Sequence, residues 1–226
     1  FIGFAYVSPL LPERMLPELE RAIDQLGMRA IKIYSPYGPY EYDDPIWDPV
    51  YRFAHERQLA ILAHTGPDAE PRFLEAAAAR WPRHAGDPDQ PQVHGYVIWN
   101  EPNLAAEWGG NAPDAAAYAA LLQAAYNGVQ AGSADAWVIS AGLATTGDDP
   151  PNAVDDRAFL QQLYVAGAAG AFDYLGANPM GFAYAPDDDS DANGFNFTRA
   201  EAWREIMVAN GDGAKDMFGT ETGWLR

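Results

Sequence analysis

An α/β fold is what the sequence predicts, specifically a (β/α)8 barrel with seven strand–helix units evident and an eighth apparently missing. Three observations carry this. One phrase recurs seven times: a short β-branched or aromatic run, a polar break, then a helical pattern, and such alternation calls for a parallel sheet covered by helices. An open doubly wound sheet competes with a closed barrel. However, Phe4-Ala5-Tyr6-Val7-Ser8-Pro9 after the first strand has no Gly-x-Gly-x-x-Gly phosphate cradle. Residues able to do chemistry also fall at the carboxy ends of several strands, where barrels place them.

The strand candidates are Ile2–Val7, Ala30–Tyr34, Ala60–His64, Gly95–Asn100, Trp137–Ala141, Tyr174–Asn178 and Met217–Thr220. Helix candidates lie near Pro12–Leu26, Trp47–Arg57, Arg72–Trp81, Asp114–Ala131, Asp156–Ala168 and Thr198–Asn210. Leu16, Leu19, Ile23 and Leu26 are spaced by threes and fours, predicting one apolar stripe on the first helix. Gly27 follows that helix as a C′ residue would. Asp114 and Thr198 sit where a side-chain oxygen would cap free amides, and Glu201 gives Thr198 a capping-box spacing.

The 226 residues, 48% apolar, suffice for one substantial core, and residues 1–226 are read as a single domain. A full barrel takes typically about 250 residues, and the chain stops just after the seventh strand. An eighth unit, removed or supplied by a second chain, is expected to complete the barrel, because open strand edges invite aggregation. A net charge of −18 disfavours nucleic acid and anionic membranes as partners and is compatible with neutral carbohydrate. No apolar run is long enough for a membrane span. Zero cysteines exclude disulfides and thiolate metal sites. The chain opens on Phe1, which leaves the compartment open between secreted and cytoplasmic.

Two stretches carry candidate chemistry: Trp99-Asn100-Glu101-Pro102-Asn103 and Thr220-Glu221-Thr222-Gly223-Trp224. Each sets a glutamate where an apolar run breaks, the edge at which a buried strand surfaces. Two carboxyls raised from different strands into one cavity are the minimum equipment for cleaving a glycosidic bond. The bland alternative is that each glutamate caps a helix or pairs with an arginine. Asn100 and Glu101 are adjacent, so both can line one pocket only if the backbone twists or bulges there.

These residues resemble clan A of the glycoside hydrolases, the TIM-barrel retaining β-glycosidases, and are most similar to family 39 and its cellulase-like bacterial neighbours. Asp173-Tyr174-Leu175-Gly176-Ala177-Asn178-Pro179-Met180-Gly181-Phe182 resembles that clan's sixth strand, and the stretch from Arg204 to Met207 leads similarly toward the seventh. The resemblance implies Glu101 as general acid/base, Glu221 as nucleophile and Asn100 as the group holding the sugar 2-hydroxyl. Cleavage would proceed with retention, carboxyls about 5–5.5 Å apart. An ionised nucleophile that close disfavours a second negative charge, so Glu101 is expected to keep its proton. The pattern departs at Asn178-Pro179-Met180-Gly181, where the family has a His-Pro-Tyr-Gly-like turn, and Tyr184 is the candidate substitute.

Further substrate-binding candidates are Lys32, Tyr34 and His64 at the ends of the second and third strands, Asn178, and Trp224 as a sugar platform. A solvated lysine and a structural rim histidine are the alternatives for Lys32 and His64. Tyr37, Tyr40, Tyr42 and Trp47 crowd the loop after the second strand, for stacking on sugars or for packing. No metal site is expected: His55, His64, His84 and His94 lack paired spacing, and residues 187–191 read as a solvated acidic loop. No cofactor is expected either. Besides hydrolysis, a glycan-binding barrel that is inactive or incomplete remains a second reading.

Overall fold

The computed structural model describes residues 4–34, 40, 42, 44–64, 71–83, 92–188, 190 and 194–224, with the side chains of residues 34, 62–64 and 71–73 excepted. The fold is α/β. In chain order it runs β1 (Phe4–Val7), α1 (Pro12–Glu20), β2 (Ala30–Tyr34), α2 (Asp48–Glu56), β3 (Ala60–His64), α3 (Pro71–Arg80), β4 (Gly95–Ile98), α4 (Ala115–Gly132) and β5 (Trp137–Ser140). It continues through α5 (Asp156–Val165), β6 (Leu175–Ala177), β7 (Met180–Phe182), α6 (Arg199–Ala209), β8 (Met217–Gly219) and β9 (Gly223–Trp224). The described residues form two compact units, Phe1–Val97 with Asn127–Trp137 and Ile98–Tyr126 with Val138–Arg226. No helix among them is long and apolar enough to cross a membrane.

In the first unit β1, β2 and β3 are parallel and in register, Phe4 opposite Ala30 and Ala30 opposite Ala60, and His64 pairs with Val97 of β4. Ile31 and Ile33 are fully buried on one face of β2, as strand alternation requires. The apolar stripe of α1 is only in part the one expected. Met15, Leu19 and Ala22 are buried, whereas Leu16 and Leu26 are exposed. A π-helical turn over Arg21–Gln25 follows, which widens the spiral and shifts the phase of what comes after it, Leu26 included. Gly27 then ends the helix at φ +70°, the left-handed position glycine favours. Tyr42 and Trp47, candidates for sugar stacking, lie in the core instead, and the Tyr51 hydroxyl donates to the Tyr42 carbonyl at 2.6 Å. Tyr37 lies outside the described residues.

The second unit pairs β6 with β8 and β7 with β9, both parallel. Strands β7 and β9 were not expected from the sequence; at three and two residues, both with glycine, they are too short to show a period. Asp114 caps α4 as expected, its Oδ1 accepting from the Ala116 and Ala117 amides at 2.9 Å each. Thr198 forms no capping box. It already holds helical angles (φ −66°, ψ −11°), and its hydroxyl donates to Asn196 Oδ1 at 2.9 Å.

Helices α5 and α6 are joined by a buried polar cluster. Asp156, fully buried, accepts from Arg199 Nε at 2.8 Å, Arg199 Nη2 at 2.7 Å and the Trp203 indole at 2.5 Å. Its Oδ1 also takes the Thr146 amide at 3.1 Å, and Arg199 Nη2 donates to the Thr146 carbonyl at 3.0 Å. The loop after β5 is therefore fastened to the helix pair. Removing one partner of a buried pair leaves an uncompensated charge, costing about 3–5 kcal/mol. Asp156→Ala is accordingly expected to lower stability by that amount in urea unfolding, with Arg199→Lys intermediate because an ammonium cannot reproduce the fork.

Candidate active site

The site is built around one carboxamide. Asn178 follows β6 and is fully buried. Its Nδ2 donates to Asn100 Oδ1 and to Glu101 Oε1, both at 3.1 Å. Its Oδ1 accepts from the Thr220 hydroxyl at 2.5 Å. The amide is thus oriented by Thr220 on one side and presents both hydrogens to the motif after β4. Its carbonyl accepts from Thr145 Oγ1 at 3.2 Å, which brings in the loop after β5.

Adjacent residues reach the same amide because the backbone leaves the strand conformation. Trp99 and Glu101 have φ of +72° and +46°, left-handed values that cost non-glycine residues about 1–3 kcal/mol each. Several bonds offset the strain. The Glu101 amide donates to the Gly142 carbonyl at 2.9 Å. Asn103, fully buried, donates to the Ala144 and Val154 carbonyls at 2.9 and 3.1 Å and accepts from the Ala144 amide at 2.9 Å. Trp108 donates to the Pro102 carbonyl at 2.7 Å and packs on buried Trp99, ring centres 5.0 Å apart. From α4, the buried Tyr118 hydroxyl takes the Ala141 amide at 2.6 Å and donates to the Ile98 carbonyl at 2.8 Å. Burial pushes that phenol well above its ordinary pKa.

Thr220 leads directly into Glu221, which is half-buried. A third carboxylate joins it. Glu107, half-buried in the 3-10 turn Ala105–Trp108, has its pKa raised, first by burial and then by the charge of Glu221. Trp224 is half-buried. Its indole donates to the Tyr184 carbonyl at 2.8 Å and its ring stacks on Phe197, centres 5.5 Å apart at 26°. These residues all belong to the second unit. Lys32 is in the first, on the face of β2 opposite Ile31 and Ile33. Tyr34 and His64 are cross-strand partners at the ends of β2 and β3; their side chains lie outside the described residues.

The structure therefore brings Asn100, Glu101 and Asn178 into direct contact and adds Thr220, Asn103, Glu107 and Gly142, which sequence reasoning did not single out. Asn103 and Thr220 were visible as members of the two motifs; Gly142 carried no local signal. Among the described residues no three His, Cys, Asp or Glu side chains cluster as metal ligands.

A Cβ at Gly142 would overlap Asn178 Oδ1 and Thr220 Oγ1. Gly142→Ala is expected to cost about 1–3 kcal/mol by overpacking, read as a lower urea midpoint, and to displace the Asn178 amide from Glu101 in a crystal structure. Glu107 supplies a pH test. With its folded pKa above the unfolded one, the protonated form suits the fold better, so stability is lost as pH rises through the carboxylate range. Glu107→Gln is expected to raise the melting temperature at pH 7 by no more than about 2–4 °C, since solvent screens a half-exposed group. That gain should fade below the ordinary glutamate pKa of 4.5.

Solved structures that share this fold include glycosidases. A monomeric β-xylosidase from Caulobacter crescentus CB15 superposes with a TM-score of 0.64 at 17% identity, covering 99% of this chain and 52% of its own. A family 39 glycoside hydrolase from Bacteroides cellulosilyticus WH2 gives 0.59 at 17%, covering 97% and 48%. An α-L-arabinofuranosidase from Thermotoga maritima gives 0.56 at 14%, covering 88% and 46%. The resemblance to clan A glycoside hydrolases, family 39 among them, thus holds at the level of fold, and the chain spans about half the length of these structures. No curated protein matches the sequence. The amidohydrolase family matches residues 1–169, a segment that contains Glu101 and ends before Asn178 and Glu221. On that match, which takes in most of the sequence, the chain belongs to the amidohydrolase family.

Proposed function

We propose that this protein is a retaining glycoside hydrolase acting on β-linked oligo- or polysaccharides, on a (β/α)8-barrel framework. The observation that carries the reading is the Asn178 amide, bonded at once to Asn100 and Glu101 and oriented by the residue preceding Glu221. A carboxyl held by one oxygen in a fixed orientation is what directed proton transfer needs. The fold shared with glycosidases supports the same reading.

In this mechanism Glu221 attacks the anomeric carbon while Glu101 protonates the departing glycosidic oxygen. Glu101, now a carboxylate, then removes a proton from the water that hydrolyses the glycosyl–Glu221 ester, restoring both groups with net retention. Asn100 holds the sugar 2-hydroxyl, where hydrogen bonds strengthen in the transition state. Asn178 positions Asn100 and Glu101 together. Lys32, Tyr34, His64, Tyr184 and Trp224 are further candidates for substrate contact. A carbohydrate is the partner, with any eighth unit coming from further chain or a second one.

The family match favours a second reading, hydrolysis of an amide; here Glu221 would take a proton from the water that adds to the carbonyl carbon, and the C–N bond would break as Glu101 protonates the leaving amine. Aryl β-glycosides and aryl amides assayed together separate the two. Glycoside turnover is expected, falling about 10²–10⁴-fold in Glu101→Ala and at least as far in Glu221→Ala. Azide is expected to restore the Glu221 variant with inverted product. Full activity in either variant overturns the assignment, and amide turnover alone favours the second reading.

A further inference from the structure

A cleft of about 430 Å³ opens in the second unit beside the Asn178 hub, within the range of roughly 300–1,000 Å³ usual for small-molecule sites. Half-buried Phe182, Tyr184 and Phe195 line it together with Thr145, Asp148 and Asp149. Two links tie it to the candidate site. Thr145 donates to the Asn178 carbonyl, and the Tyr184 carbonyl holds the indole of Trp224, three residues after Glu221.

We propose that this cleft is a subsite for the second and later units of a neutral β-linked oligosaccharide whose first units occupy the Glu101–Glu221 region; the proposal rests on the hydrolase reading and specifies its substrate as an extended chain. Three aromatic faces with hydrogen-bond acceptors between them suit a pyranose, which offers an apolar C–H face and a rim of hydroxyl donors. Acceptors remain available. Asp148 Oδ1 takes the Asp155 amide at 2.8 Å and Asp149 Oδ2 takes the Asn152 amide group at 3.1 Å, which leaves each carboxylate a second oxygen for a hydroxyl. The Tyr184 hydroxyl makes no hydrogen bond among the described residues. Phe182 is held at φ +47° beside an irregularity in the β7–β9 pairing, backbone strain of the kind found at ligand clamps. Negative charge at Asp148 and Asp149, in a chain of net charge −18, selects against anionic sugars.

Calorimetry on the full chain carrying Glu221→Gln, which prevents turnover, tests this with neutral xylo- and gluco-configured β-oligosaccharides from di- to hexasaccharide. Affinity is expected to rise about tenfold between di- and tetrasaccharide. Phe195→Ala and Asp149→Asn should each remove about three- to tenfold for the tetrasaccharide and less for the disaccharide. Phe195 also lies under the Arg199 guanidinium, 4.9 Å away, so the exposed Asp149→Asn keeps the test independent of folding. Affinity that does not grow with length, or equal losses at both lengths, overturns the subsite. Flat length dependence beside aryl-glycoside turnover sinks this proposal alone. Length-dependent binding without turnover of any glycoside sinks the hydrolase reading and leaves the subsite standing.

Discussion

One buried carboxamide holds the candidate site together. Asn178 satisfies its oxygen with the Thr220 hydroxyl and spends both hydrogens on Asn100 and Glu101. A buried polar group left unpaired costs about 1–3 kcal/mol, so these bonds form as a set. Asn178 is tethered by its backbone to β6, by its side-chain oxygen to Thr220 at the end of β8, and by its main-chain carbonyl to Thr145 in the loop after β5. Three strand ends thereby fix the amide that orients Glu101.

The surrounding structure absorbs the strain this geometry needs. Left-handed backbone at Trp99 and Glu101 persists because Asn103, Tyr118 and Trp108 each tie the segment to a neighbouring carbonyl. Behind the loop after β5 stands the Asp156–Arg199–Trp203 cluster, which grips Thr146 by both amide and carbonyl. Fold and site are mechanically continuous within the second unit: the helix pair holds a loop, and the loop meets the hub.

Strands were legible where β-branched residues alternate between glycine or proline breaks; Ala30–Tyr34 and Ala60–His64 run over the residues that pattern marks. Helix phase was legible only in part: Leu19 is buried as its spacing implies, whereas Leu26, beyond a π turn that no local residue type announces, is exposed. Cap geometry was half legible: Asp114 had one course open to it, whereas the Thr198 hydroxyl found a nearer acceptor in Asn196. At the site, Glu101 and Asn178 could be marked because each polar residue ends an apolar run. Gly142 and Glu107 could not, since their roles come only from proximity. Asn178 reaches back 78 residues to Asn100, a pairing no window of sequence contains.

The positive φ of Glu101 has a consequence for how this chain can change. A conformation that glycine adopts freely is occupied by a residue with a long charged arm. Glycine in its place would relieve of order 1–3 kcal/mol of backbone strain while removing the carboxyl. Wherever glutamate persists at this spot in descendants of the chain, selection for what it does has outweighed thermodynamic comfort.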